Sequence, residues 1–202
     1  MIKENSLLNK VHQAYSNAAE SPGSEHPFPV GREFAESVGY PTELLDCLPT
    51  AAVAAFTGVS NLSISAEIPK GSTVIDIGCG AGLDSFIAAK RTGSSGRVIG
   101  LDFSSSMIAR ALRSFEELMN KPDINMGRLE FHNASADNIP LKDNTVDIAM
   151  INGIFNLNPD RDTIFNEVFR IIKPGGTAFV SELILIDPLK IDTSCSIDNW
   201  FA

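Results

Sequence analysis

Hydrophobic positions along this chain follow two regimes that meet near Pro69-Lys70-Gly71. Beyond that point, short β-branched runs alternate with segments of helical period. STVIDIG (72–78) and RVIGLD (97–102) are apolar runs closed by glycine or an acid, the pattern of strands buried on both faces. Residues 128–132, TVDIAMI (145–151) and 177–186 read as three more strands. Between them, 83–91, 105–119 and 160–172 have helical spacing. In the second of these Met107, Ile108, Ala111, Leu112, Phe115 and Leu118 share one face. Lys173-Pro174-Gly175-Gly176 is expected to stop the third. The alternation predicts an α/β fold: a Rossmann-like, doubly wound, mainly parallel sheet with helices on both faces and right-handed crossovers. Such sheets bind ligands beyond the carboxyl ends of their strands, where strand order reverses.

Before Pro69 the pattern is helical and irregular. A polar helix is expected over Ser6–Ala19, then a loop rich in Pro, Gly and Ser (21–29), then short helices over 31–38, 42–48 and 51–56. Pro41 fits the start of one and Pro49 its end. The chain therefore divides into a helical lid (1–70), a ligand-binding sheet domain (71–186) and a tail (187–202).

Composition narrows the function classes. The 202 residues are 44% hydrophobic and 20% charged, an ordinary globular balance. Sixteen basic against twenty-five acidic residues leave a net charge of −9, which weighs against nucleic acid and anionic membrane partners. No leader or bilayer-length apolar run is visible, so a cytoplasmic location is expected. Cys47, Cys79 and Cys195 are too few and too widely spaced for a disulfide framework or a CxxC metal site. His12, His26 and His132 are scattered, and no catalytic triad is visible.

The chemistry concentrates in VIDIGCGAG (74–82), which leaves a buried strand and enters a helix. Glycines there permit positive φ and close approach of a ligand to the backbone. The spacing is GxGxG. The dinucleotide fingerprint GxGxxG/A would need a small residue where Leu83 stands, which disfavours a nicotinamide oxidoreductase. Asp102 ends the second strand, twenty residues beyond Gly82, where a carboxylate can accept both hydroxyls of a ribose. The plainer alternative is tight-turn glycines and a strand-end Asp beside a helix cap in Ser104–Ser106.

VIDIGCGAGLDS, GRVIGLD, FHNASADNIPLKDNTVDIAM and FRIIKPGG together resemble the seven-stranded S-adenosylmethionine methyltransferases over about residues 70–186. The resemblance implies S-adenosylmethionine as cofactor and a small-molecule methyl acceptor. It places Asp76 at the methionyl ammonium and Gly78, Gly80 and Gly82 along the methionine and ribose, with Cys79 in the same loop. Asp102 would hold the ribose hydroxyls. Phe103 and Met107 would flank the adenine, Ala136 and Asp137 would reach its edge, and Asn152 would face the reactive methyl. Tyr15, Asn152 and Ile154 are the expected acceptor contacts. Several have plainer readings: Met107 as core, Asn152 as a strand-end cap, Asp137 as part of a polar turn before Pro140, Cys79 as a small buried filler.

The segments 11–21 and 33–62, with INGIFNLNPDRDTIFNEVFRIIKPGG (151–176), are similar to arsenite methyltransferases and more distantly to ubiquinone/menaquinone C-methyltransferases. Val59 and Gly153 stand where the arsenite enzymes carry cysteines, which turns the expectation toward a small organic or other soft acceptor. Loss of those thiols also suits a non-catalytic, degenerate cofactor-binding module. Five strands are expected where the family has seven, so the sheet should lack its last strands, 187–202 should be a truncated tail, and the open edge should favour a homodimer.

Overall fold

The structure, a computed structural model, describes residues 2–120, 125–184 and 186. Five parallel strands form one sheet: β1 (Thr73–Ile77), β2 (Arg97–Asp102), β3 (Arg128–Asn133), β4 (Val146–Asn152) and β5 (Ile172–Ser181). Their order is β3-β2-β1-β4-β5, so strand order reverses between β1 and β4, as the alternating pattern predicts.

Eight helices accompany the sheet among the described residues: α1 (Ile2–Glu20), α2 (Arg32–Ser37), α3 (Thr42–Asp46), α4 (Thr50–Ala54), α5 (Leu62–Ser65), α6 (Leu83–Thr92), α7 (Ser105–Met119) and α8 (Arg161–Ile171). The two faces of the sheet bury separate cores. Val74, Val98, Leu129, Ile148 and Met150 pack with α6, α7 and the short N-terminal helices. Ile75, Ile77, Ile99, Leu101 and Ile151 pack on the opposite face with Ile164, Val168 and Ile171 of α8. The period of two within each strand assigns alternate side chains to the two cores. No helix among the described residues is long and apolar enough to cross a membrane.

Small residues dock the N-terminal segment. Ala18, Ala19 and Ala55 close on Met107 and Ala81. Arg110 of α7 donates to Ala51 O at 2.8 Å and also to Ala19 O, occupying carbonyls at two helix ends.

One expectation is corrected. The last strand was expected over 177–186, with Lys173–Gly176 as a helix stop. Instead β5 starts at Ile172, and Lys173–Gly176 forms an irregularity inside it, the pairing jumping from Val146–Ile172 to Ile148–Thr177. Among the described residues this is the outermost strand, where a proline and a bulge are tolerated. It ends at Ser181 because its partner β4 ends opposite, at Asn152. The β3–β4 connection, for which the sequence pattern predicts no helix, has none among its described residues. Arg170 of α8 fastens it instead, donating to Ile139 O at 3.0 Å and Leu141 O at 2.7 Å, while Glu167 accepts from Ile139 N at 2.7 Å. The expected tail, 187–202, lies outside the described residues.

Candidate functional site

A cleft opens beyond the carboxyl ends of β1, β2 and β4, at the reversal point. The β1–α6 loop forms its floor. Gly78, Gly80 and Gly82 have φ of +76°, +53° and +91°, which L side chains rarely adopt. At Gly78 space is decisive as well, since an added Cβ would sit 2.3 Å from Ile154 Cγ2. At Gly82, the N-cap of α6, a Cβ would meet Phe131 at 2.9 Å.

Asp102 is buried at the end of β2. Its Oδ2 accepts from Gly80 N and its Oδ1 from Ser104 N, each at 2.8 Å. The carboxylate thereby ties the glycine loop to the start of α7, where Ser104 caps the helix by accepting from Met107 N. Each oxygen keeps a lone pair for a further donor. Burial pushes this carboxyl up to about 6, against the pull of its two amide donors. Asp76, on β1, accepts from Ser85 Oγ at 2.6 Å; burial, then the nearby Asp84 carboxylate, raise it to about 8. Asp84, in the first turn of α6, is also buried and raised by that burial. Among the described residues, those lining the cleft thus include three carboxylates and no Lys, Arg or His. Such a lining disfavours anions and suits a cation with hydroxyl donors.

Aromatic rings roof the cleft. Tyr15 of α1 stacks on Phe28, with ring centroids 4.6 Å apart, and meets the edge of Phe103 at 6.3 Å. Burial raises the Tyr15 phenol, as do the Asp102 and Glu182 carboxylates, so it stays neutral at ordinary pH. His12 meets Phe103 edge-on at 4.6 Å, and His26 bonds the Ser21 carbonyl at 2.9 Å; neither lines the cleft.

Asp76, Gly78, Cys79, Gly80, Asp102, Phe103, Asn152, Tyr15 and Ile154 all lie on the cleft wall. Four other expected cofactor contacts do not. Gly82 lies behind the loop against Phe86 and Phe131. Met107 is fully buried in the core beneath the loop, 3.9 Å from where a Gly80 Cβ would lie. Ala136 packs on the α8-side core, and Asp137 is half-buried in the β3–β4 connection. Cys79 is a buried thiol whose burial, with Asp102 and Asp76 beside it, keeps it protonated.

Sequence reasoning missed the far wall. Phe56, Thr57 and Gly58 line it together with Asp84, Gly153 and Leu157. Val59 and Gly153, the two positions where the sequence resemblance implied cysteines, face each other: a Cβ on Gly153 would lie 2.9 Å from Val59 Cγ1. Asp84 carried no distinguishing signal, because an acid in a helix's first turn is ordinary.

A methyltransferase-domain family model matches residues 68–197, more than half of the chain. The chain belongs to the methyltransferase domain family. It is 32% identical over 142 residues to an arsenite methyltransferase of Halobacterium salinarum, covering 70% of this chain and 35% of that protein. It is 34% identical over 111 residues to a demethylmenaquinone methyltransferase of Oceanobacillus iheyensis, covering 54% and 44%. The solved structure of an arsenic(III) S-adenosylmethionine methyltransferase from Chlamydomonas reinhardtii superposes with a TM-score of 0.58 at 26% identity, over 77% of this chain and 49% of that one. The chain thus spans between a third and a half of the length of these relatives. The family resemblance read from the glycine loop and Asp102 is borne out, and so is the fold.

Proposed function

We propose that the cleft binds S-adenosylmethionine and that the chain transfers its methyl group to a small-molecule acceptor. The observation that carries this reading is Asp102. A buried carboxylate at the reversal point, locked by two backbone amides yet keeping free lone pairs on the cleft wall, suits a ribose diol. The residues present fit the rest of the cofactor. Asp76 suits an ammonium group, the positive-φ glycines leave the loop free of side chains, and Phe103 and Tyr15 give an aromatic enclosure beside a sulfonium.

When bound, S-adenosylmethionine supplies both the electrophilic methyl and the leaving group. The chain's own task is to hold an acceptor in line and exclude water. Phe56, Gly153, Ile154 and Leu157 give the acceptor side an apolar wall. Among the described residues the cleft's only lining cysteine is the neutral Cys79 of the glycine loop, so a soft or organic acceptor that does not need protein thiolates suits it best. Residues 1–70 act as the lid of this site. A cytoplasmic location and association into a homodimer complete the reading.

The test is calorimetric titration of the full chain with S-adenosylmethionine and S-adenosylhomocysteine, with Asp102→Ala as control. Micromolar binding to the native chain that the control loses is expected. A native chain that binds neither compound would refute the cofactor assignment. Methyl turnover against a panel of soft and organic acceptors then tests the activity.

A further inference from the structure

Asn152 ends β4 on the cleft wall, yet its side chain is fully committed within the protein. Its Oδ1 accepts from Val59 N at 3.0 Å and Ser60 N at 3.2 Å. Its Nδ2 donates to Ser60 O and to Asp84 Oδ2, each at 2.9 Å. A carboxamide has two donor hydrogens and two acceptor lone pairs, so no capacity remains for a ligand. Asp84 in turn accepts from the Tyr40 hydroxyl through Oδ1. Three side chains that lie between 44 and 112 residues apart therefore form one hydrogen-bonded chain, Tyr40–Asp84–Asn152, with Tyr40 and Asp84 buried and Asn152 half-buried.

What this chain grips is the turn at Gly58–Ser60. Gly58 has no side chain where one would collide with the carboxamide, its Cβ falling 2.6 Å from Asn152 Nδ2. Ser60 Oγ donates to Ser181 Oγ at 2.7 Å, tying the same turn to the end of β5. The turn directly follows Phe56 and Thr57, which line the cleft opposite the glycine loop.

We infer that Tyr40, Asp84 and Asn152 are positioning residues: a hydrogen-bonded clamp that fixes the acceptor-side wall, Phe56–Ser60, across the carboxyl ends of β1 and β4. Asn152 acts on the acceptor through the wall it holds. This assignment rests on reading the cleft as a methyl-transfer site.

The test exploits the polarity of the Asp84–Asn152 bond. Asp84→Asn leaves an amide facing an amide or a hydroxyl donor. Asn152→Asp sets a carboxylate against a carboxylate. The double variant Asp84→Asn/Asn152→Asp reverses the bond and keeps acceptors for Tyr40, Val59 N and Ser60 N. Hydrogen exchange of the Val59 and Ser60 amides is followed in the full chain, with β1 amides as the control for global folding. Each single variant is expected to speed the two turn amides about tenfold or more, the scale of a lost hydrogen bond, and the double variant to return them to within about threefold of native. If a single variant also loosens β1, Tyr40→Phe, which removes only a hydroxyl, is expected to speed the turn amides alone. Unchanged turn amides in Tyr40→Phe, or a double variant no slower than the single ones, would overturn the clamp. Titration of the same native preparation with S-adenosylhomocysteine judges the cleft reading separately, because the exchange data do not depend on it.

Discussion

The two walls of the cleft are built by different means. The cofactor-side wall is local: Asp76 to Gly82 form one strand–turn–helix passage, and Asp102 closes it from the neighbouring strand through Gly80 N. The acceptor-side wall is assembled from distant segments: the turn at 58–60, the first turn of α6 and the end of β4. The first depends on backbone geometry that a short motif encodes. The second depends on a polar network that exists only once the N-terminal helices have docked.

The comparison can be broken most severely at Asp102. Its replacement by alanine removes the proposed ribose acceptor and strands the Gly80 and Ser104 amides. Two charged hydrogen bonds at roughly 1.5–3 kcal/mol each predict a loss of S-adenosylhomocysteine affinity of about a hundredfold or more. Retained affinity in calorimetry would show that the local wall is not the cofactor's.

Gly78→Ala is the next largest effect. Left-handed backbone and the collision with Ile154 Cγ2 together are expected to cost about 2–4 kcal/mol in denaturant unfolding. Gly78→Ala/Ile154→Ala should recover the collision part and leave the backbone part. No recovery would mean that the two walls do not meet there.

Gly58→Ala strikes the distant wall alone. Its φ is not in the left-handed region, so only crowding of Asn152 Nδ2 and Phe56 counts, and about 1–3 kcal/mol is expected. Cofactor affinity should fall far less than in Asp102→Ala. An equal fall would erase the distinction between the walls.

The smallest effect is pH dependence. Asp76 and Asp102 are raised by folding, so each favours the folded state most fully below its unfolded value near 4. That contribution is lost as pH rises through about 6 for Asp102 and about 8 for Asp76. The unliganded chain should therefore have a lower melting temperature at pH 8.5 than at pH 6, and a bound cation should shrink the difference. A melting temperature that rises over this interval would contradict the burial of these acids.

How much of this was legible follows the same division. The strand pattern placed β1 to β4 and marked Asp102 at the end of β2, while its bond from Gly80 N came only from the structure. Met107 was ambiguous because a core stripe and an adenine contact use the same residue type; it lies in the core beneath the loop. The β5 boundaries were misplaced because Lys-Pro-Gly-Gly reads as a helix stop, whereas an edge strand can absorb it. Tyr40 and Asp84 were invisible, since a tyrosine before a proline and an acid in a first turn are common anywhere.

By itself the sequence determined the alternating sheet, the glycine loop and the acid that closes it, because strand period and positive-φ glycine are properties of a few consecutive residues. Only the tertiary structure decided which side chains face one another across the cleft. Val59 came to lie against Gly153, and Asn152 was drawn into bonds with a turn some ninety residues earlier. Burial is the physical reason: a carboxamide taken out of water must find partners for every donor and acceptor, and the docked chain, not the local sequence, supplies them.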